Sequence, residues 1–333
     1  MLNKLSSVFL LFLLFFSCKN EKPKADTTEP GVVVDEDTTM EQAVLANVKS
    51  YHKGNAQKVV SGFHSPESVA TDGTYYYVSN VGRELLPSEK DGDGFISQLN
   101  ADGEVLELKW MEGLDAPKGM AILNGVIYTA DVDKVRGFDI KRQKKVFEIE
   151  IQRYGTVFLN DLVVKDNQYL LVSATDIGYI FEVDTYGEGG FEIFEIYGDM
   201  TGVNGLFFDV KTNRLLMAGF GIEGEPVGVI MEADLNQKNI KQTELMPYQG
   251  YLDGIQLVED KYVLFTDWKD FEKGGQLMVY NLESKKVQAA MEDVMLGPAD
   301  FYYEEKSGVL WLPLMAENEL VITHLELEKL FEK

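Results

Sequence analysis

From residue 57 onward the chain is written in short apolar runs separated by polar turns. Residues 68–71 and 75–80 are two such runs around Asp72-Gly73, and 94–100 and 105–110 are two more around Ala101-Asp102-Gly103. A second set follows with Asn124-Gly125 between 121–123 and 126–130, then 135–139 and 145–149. Runs of this length bounded by Gly, Asn and Asp predict antiparallel strands joined by tight turns. The first run of each set is apolar almost throughout, as expected of a strand covered on both faces. The last alternates, as in Glu104-Val105-Leu106-Glu107-Leu108-Lys109, which suits a strand with one face in water. Helical periodicity is almost absent until residues 325–331.

The sets are copies of one unit. The first run of each reads Pro66-Glu67-Ser68-Val69-Ala70, Pro117-Lys118-Gly119-Met120-Ala121, Leu159-Asn160-Asp161-Leu162-Val163, Val203-Asn204-Gly205-Leu206-Phe207, Leu252-Asp253-Gly254-Ile255-Gln256 and Pro298-Ala299-Asp300-Phe301-Tyr302. A repeat of about 46 residues that is nearly all strand predicts an all-β, six-bladed β-propeller. The sixth copy offers only three strands, and residues 57–61 stand ready to supply the fourth. A ring closed by both ends of the chain leaves no open sheet edge.

In such a ring the second residues of the six copies converge on one central channel. They are Glu67, Lys118, Asn160, Asn204, Asp253 and Ala299. Four offer oxygen donors, and convergent oxygens suit hard cations such as Ca²⁺ or Mg²⁺. Asn or Asp before Gly also caps turns, which would account for Asn204-Gly205 and Asp253-Gly254 singly. It accounts less well for the recurrence in phase. Lys118 opposes a cation in the same channel, so it turns away, loses its proton, or replaces the ion and pairs with Glu67 or Asp253.

A formal charge of −24 argues against nucleic acid as a partner, because displacing phosphate counterions needs a basic surface. The N-terminus has different chemistry. Residues 1–17 hold one cation, Lys4, and an apolar run over residues 8–16, too short to span a bilayer, which predicts a secretory signal peptide. Phe15-Phe16-Ser17-Cys18 resembles a bacterial lipobox, with Cys18, the only cysteine, as the lipidated residue. Residues 18–56 are rich in Lys, Glu, Asp, Thr and Pro and predict a flexible tether, with a short helical stretch over 40–51. The propeller then occupies 57–330. The expected location is the cell envelope, at the periplasmic face or outer surface of a bacterial membrane, with the lipid anchor as the sole membrane contact. Gly219-Phe220-Gly221-Ile222-Glu223-Gly224 matches a nucleotide-loop pattern but runs into Glu225-Pro226 rather than a helix, so it is read as a loop. No G-x-S-x-G elbow is present, which argues against a serine hydrolase. Asp267-Trp268 and Trp311 are read as wedges between blades.

Phe158-Leu159-Asn160-Asp161, Val203-Asn204-Gly205-Leu206, Leu252-Asp253-Gly254-Ile255 and Pro66-Glu67 resemble the blade motifs of the SMP-30/gluconolactonase-like propellers. That resemblance implies one divalent cation, Ca²⁺ before Mg²⁺, Mn²⁺ or Zn²⁺, held by Glu67, Asn204 and Asp253. It implies substrate contacts from Asn160 and Lys118, and hydrolysis of a small-molecule lactone or ester with Asp253 as catalytic base, by a monomer. Sugar lactonases of the family carry arginine where this chain has Phe158, which points away from a sugar acid and toward a more apolar substrate. The alternative is a non-catalytic propeller resembling the NHL-type repeats, suggested by Pro117-Lys118-Gly119-Met120-Ala121-Ile122, that binds a partner or glycan at the envelope.

Overall fold

Tight turns divide each repeat into four antiparallel strands, and the computed structural model, which describes residues 58–198, 202–221 and 225–332, contains six such sheets. The strands belong to a unit spanning Gly54–Lys333. The predicted signal peptide, Cys18 and the tether lie outside the described residues. Blade one comprises β2 (Pro66–Thr71), β3 (Tyr76–Asn80), β4 (Gly94–Leu99) and β5 (Val105–Leu114). Blade two comprises β6 (Pro117–Leu123), β7 (Val126–Asp131), β8 (Lys134–Asp139) and β9 (Lys144–Glu150). Blade three runs through β10 (Leu159–Val164), β11 (Tyr169–Ala174), β12 (Tyr179–Asp184) and β13 (Gly190–Ile193). Blade four has β14 (Val203–Asp209), β15 (Arg214–Gly219), β16 (Gly228–Asp234) and β17 (Gln242–Gly250), and blade five β18 (Leu252–Val258), β19 (Tyr262–Asp270), β20 (Gly274–Asn281) and β21 (Lys286–Ala289).

Blade six is closed from both ends of the chain, as the sequence predicts. Its own strands are β22 (Tyr302–Glu304), β23 (Val309–Leu314) and β24 (Glu319–His324), and β1 (Lys58–Ser61) pairs antiparallel with β24. The predicted C-terminal helix shrinks to one turn, α1 (Leu327–Leu330), and Phe331 just after it stacks on Tyr262 at 5.6 Å. Four residues are too few to hold a helix alone, so its packing against blade five stabilises it.

A bulge recurs at the position that matters. In blade one Pro66 pairs with Asn80 and Val69 with Val78, so Glu67 and Ser68 together face Ser79. The same two-against-one step sets Lys118-Gly119 against Ala130, Asn160-Asp161 against Ser173, Asn204-Gly205 against Ala218, and Asp253-Gly254 against Thr266. A bulge frees a residue from the ladder and re-aims its side chain. The freed N–H groups find hydroxyls instead: those of Ser68, Asp161 and Gly254 donate to Ser79 Oγ, Ser173 Oγ and Thr266 Oγ1, each at 2.9 Å. Small or hydroxyl residues opposite the bulge are thus a structural requirement.

The third residue of each copy sits against the next blade. A Cβ on Gly205 would come within 2.0 Å of the Asp253 carbonyl oxygen, and one on Gly119 within 2.3 Å of Asp161 Oδ1. Neighbouring inner strands therefore approach too closely for most side chains. Between blades the packing is apolar, as in the stacking of Tyr76 on Trp311 with ring centroids 3.8 Å apart.

Candidate functional site at the propeller axis

All six second-position residues are buried, and five of them are polar. Glu67 is 2% exposed, Lys118 1% and Asp253 4%, so solvation cannot offset their charge. Burial raises the Glu67 carboxyl well above the usual range, and the charges of Asp253, Asp300 and Asp161 raise it further. Burial, then Asp300, pushes Asp253 up to about 7. Asp161 is likewise raised by burial and by Asp300 and Asp253, and Asp300 is pushed up to about 6, chiefly by burial. Glu67, Asp161, Asp253 and Asp300 therefore share one buried space and repel one another there. Such a group of carboxylates is tolerated only with protons or a cation to compensate it.

Asp161 and Asp300 are additions to the predicted site. They occupy the third position of copies three and six, where the other copies carry Ser or Gly, and that break in the repeat was the signal available in the sequence. Both tie blades together. Asp161 Oδ1 accepts from the N–H of Leu162 and Oδ2 from the N–H of Leu206 in blade four, both at 2.7 Å. Asp300 Oδ2 accepts from Ser68 Oγ at 2.6 Å.

Lys118 faces away from the carboxylates in its hydrogen bonding. Its Nζ donates to the carbonyls of Pro87 at 2.8 Å and Ala116 at 3.0 Å and lies 5.0 Å from the centroid of the Phe158 ring. Among the described residues no ion pair within 4.0 Å joins it to Glu67 or Asp253. Burial lowers its pKa to about 8, against the opposing pull of Glu67, Asp131 and Asp176. Phe158 thus presents its ring to this ammonium.

The oxygens left over test whether a metal fits. Among the described residues the buried side-chain atoms without a hydrogen-bond partner include Glu67 Oε2, Asn204 Oδ1 and Asp253 Oδ1. These are one oxygen from each of the three expected ligands. The others are Asp133 Oδ1, Arg136 Nε and Trp311 Nε1. Among the described residues no three His, Cys, Asp or Glu side chains gather as a metal cluster by themselves. Two carboxylates and one amide would offer hard oxygens of the kind that Ca²⁺ or Mg²⁺ takes. Asp161 and Asp300 are already engaged in holding blades together.

Trp268 does more than wedge. Its indole Nε1–H donates to Asp253 Oδ2 at 2.9 Å, which fixes that carboxylate and leaves Oδ1 directed elsewhere. Around it an apolar layer gathers Val81, Ala116, Val132, Tyr251, Ala299 and Met315 from several blades. The segment 81–93 joins this layer through Leu85, offers the Pro87 carbonyl to Lys118, and forms an ion pair from Lys90 to buried Asp133.

A further in-phase set escaped the sequence reading. Asn80, Asp131, Asp176 and Asp267, in or just past the second strands of blades one, two, three and five, accept from backbone N–H groups entering their own blades: His64, Ala116, Val157 and Tyr251. These polar residues hold the approach to each inner strand. A cavity of about 280 Å³, lined by Tyr179, Ile193, Tyr197, Met217 and Gln242 among others, includes no residue of the inner ring.

No protein-family model matches the chain, and no curated protein matches it in sequence. Solved structures do match in shape. A gluconolactonase from Xanthomonas campestris superposes with a TM-score of 0.61 at 11% identity, covering 82% of this chain and 91% of that one. Virginiamycin B lyase from Staphylococcus aureus gives 0.54 at 11% identity over 80% and 99% of the two chains. A candidate 6-phosphogluconolactonase from Bacteroides uniformis gives 0.55 at 14% identity over 81% and 85%. At these identities the likeness establishes the six-bladed propeller and leaves function to the site.

Proposed function

We propose that this protein is a metal-assisted lactonase or esterase whose divalent cation, Ca²⁺ before Mg²⁺, Mn²⁺ or Zn²⁺, is held by Glu67, Asn204 and Asp253. The reading rests on one observation: each of these three buried residues keeps an oxygen with no hydrogen-bond partner in a space crowded with carboxylates. That two of the structural neighbours are a gluconolactonase and a lyase is consistent with it.

When bound, the ion would polarise the substrate carbonyl. The protein's own groups do the rest. Trp268 donates to Asp253 Oδ2 and so orients the carboxylate, which would hold the ion through Oδ1 and take a proton from the attacking water on Oδ2. Asn160 orients the substrate from blade three, and Lys118, anchored on Pro87 and Ala116, contributes positive potential toward the developing oxyanion. Lipidation at Cys18 would hold this monomer at the cell envelope.

One observation favours the rival reading of a binding propeller. The inner ring is 5% exposed or less and adjoins an apolar cluster that includes its own Ala299, as in a core built for stability. Metal analysis of the purified chain, together with a panel of δ-lactones and aryl esters, separates the two. One ion per chain, lost with hydrolysis in Asp253→Asn and Glu67→Gln, is the expected result. A stable, metal-free protein inert on the whole panel would establish the scaffold instead.

A further inference from the structure

The cavity of about 280 Å³ between blades three and four has two kinds of wall. Its inner side is apolar, with Ile180 and Met217 buried in the packing of the two blades. Its outer side carries two large rings in water: Tyr179 is 45% exposed and Tyr197 56%. Single exposed aromatic residues are ordinary on a protein surface; two lining one cavity are not.

The groups around this cavity are held in place. Tyr179 opens β12 opposite Ala174, and its ring meets Phe181 edge-on at 6.5 Å. The chain carrying Tyr197 is tied to blade four, its N–H donating to the Ile240 carbonyl at 2.8 Å and its carbonyl accepting from the Gln242 N–H at 3.2 Å. Gln242 opens β17, and its side chain packs on Gly198, where a Cβ would come within 2.6 Å of its Cγ. The Gln242 side-chain amide has no hydrogen-bond partner among the described residues. Rings and amide are therefore set before any ligand arrives, which lowers the cost of binding one.

Charge and hydrogen bonding narrow the ligand. Among the described residues Glu195 is the only charged one lining the cavity, and it is exposed. An anion finds no counter-charge there, and a lone exposed carboxylate holds a cation weakly. A purely apolar molecule would cover the Gln242 amide without satisfying it. A sugar ring suits both walls. The C–H groups on its faces lie well against tyrosine rings, and its hydroxyls donate and accept, matching the amide's own donor and acceptor.

We infer that this cavity is a saccharide-binding site, separate from the propeller axis, that takes a neutral pyranose ring through Tyr179, Tyr197 and Gln242. The inference does not depend on the hydrolase reading.

Saturation-transfer difference NMR on the full chain tests it. The probes are methyl β-glucopyranoside, methyl β-galactopyranoside and methyl α-mannopyranoside, with methyl β-glucuronide and phenol as anionic and apolar controls. The expected result is saturation of at least one neutral pyranoside, with a dissociation constant raised about tenfold in Tyr197→Ala and in Gln242→Ala and kept in Tyr197→Trp. Because Tyr197 is more than half exposed, its replacement leaves the fold intact. Asp253→Asn should bind the same sugar equally, which separates this cavity from the axis. No saturation of any neutral pyranoside, affinity indifferent to Tyr197→Ala or to Gln242→Ala, or binding lost in Asp253→Asn would overturn the inference. Tighter binding of the glucuronide or of phenol would do the same. Tyr197-dependent sugar binding by a protein inert on every lactone would support this site while removing the hydrolase reading. Lactone hydrolysis without sugar binding would do the reverse.

Discussion

Ser68 donates its hydroxyl hydrogen to Asp300 at 2.6 Å across 232 residues of sequence, and this bond joins the inner strand of blade one to blade six. It lies at the seam where the ring closes, the same seam that β1 closes at the outer edge by pairing with β24. The contact also supplies one of the few donors available to the axial carboxylates, so ring closure and site electrostatics depend on the same pair.

Ser68→Ala should lower stability by about 1–3 kcal/mol, because a buried carboxylate loses its donor while the serine itself leaves little space behind. Urea unfolding monitored by tryptophan fluorescence measures this. A midpoint equal to that of the parent would show that the bond contributes nothing.

Removing residues 58–63 should abolish cooperative unfolding, since β24 would become an exposed edge and Phe63, buried in the core of the seam, would be lost. Differential scanning calorimetry decides the matter; an unchanged melting temperature refutes velcro closure.

The metal-free protein should lose stability as pH rises from about 4 to about 7. Asp253 and Asp300 titrate near 7 and 6 in the fold, above the ordinary carboxylate near 4, so the folded chain holds protons that the unfolded chain has released. The sign is opposite to that of a salt-bridged aspartate. Urea midpoints in chelator at pH 4.5, 6 and 7.5 should fall in that order, and Asp253→Asn should flatten the slope. Midpoints rising with pH would contradict the buried carboxylate cluster.

Lys118→Met should tighten divalent-cation binding tenfold or more, because it removes a buried positive charge that acts on Glu67. Titration calorimetry with Ca²⁺ provides the comparison. Equal affinity would mean that Lys118 is electrostatically remote from the ion.

Trp268→Phe should keep the ring contacts with Phe220 and Phe271 while deleting the donor to Asp253. The expected outcome is a drop in kcat of about tenfold with little change in KM for a lactone substrate, the pattern of a group that positions the base. An unchanged kcat would place Trp268 in packing alone.

The repeat of the motif around Glu67, Lys118, Asn160, Asn204 and Asp253 was legible because blades are copies: each must bury one strand at the axis, and only a fixed spacing returns a residue there. The missing fourth strand of blade six was legible for a related reason, since a sheet edge cannot be left open. Sequence alone therefore determined the fold class, the closure and the five polar residues of the inner ring. Tertiary structure decided the rest. Asp161 and Asp300 enter the carboxylate cluster because a bulge and a close blade contact bring third positions to the axis, a matter of ångströms that spacing does not encode. Lys118 turns to Pro87 and Ala116 because the segment 81–93 folds over blade two, and Trp268 meets Asp253 because β18 and β19 pair in one register rather than another. Periodicity records which faces are buried; it does not record the partner that each buried charge finds, because that partner comes from a distant part of the chain.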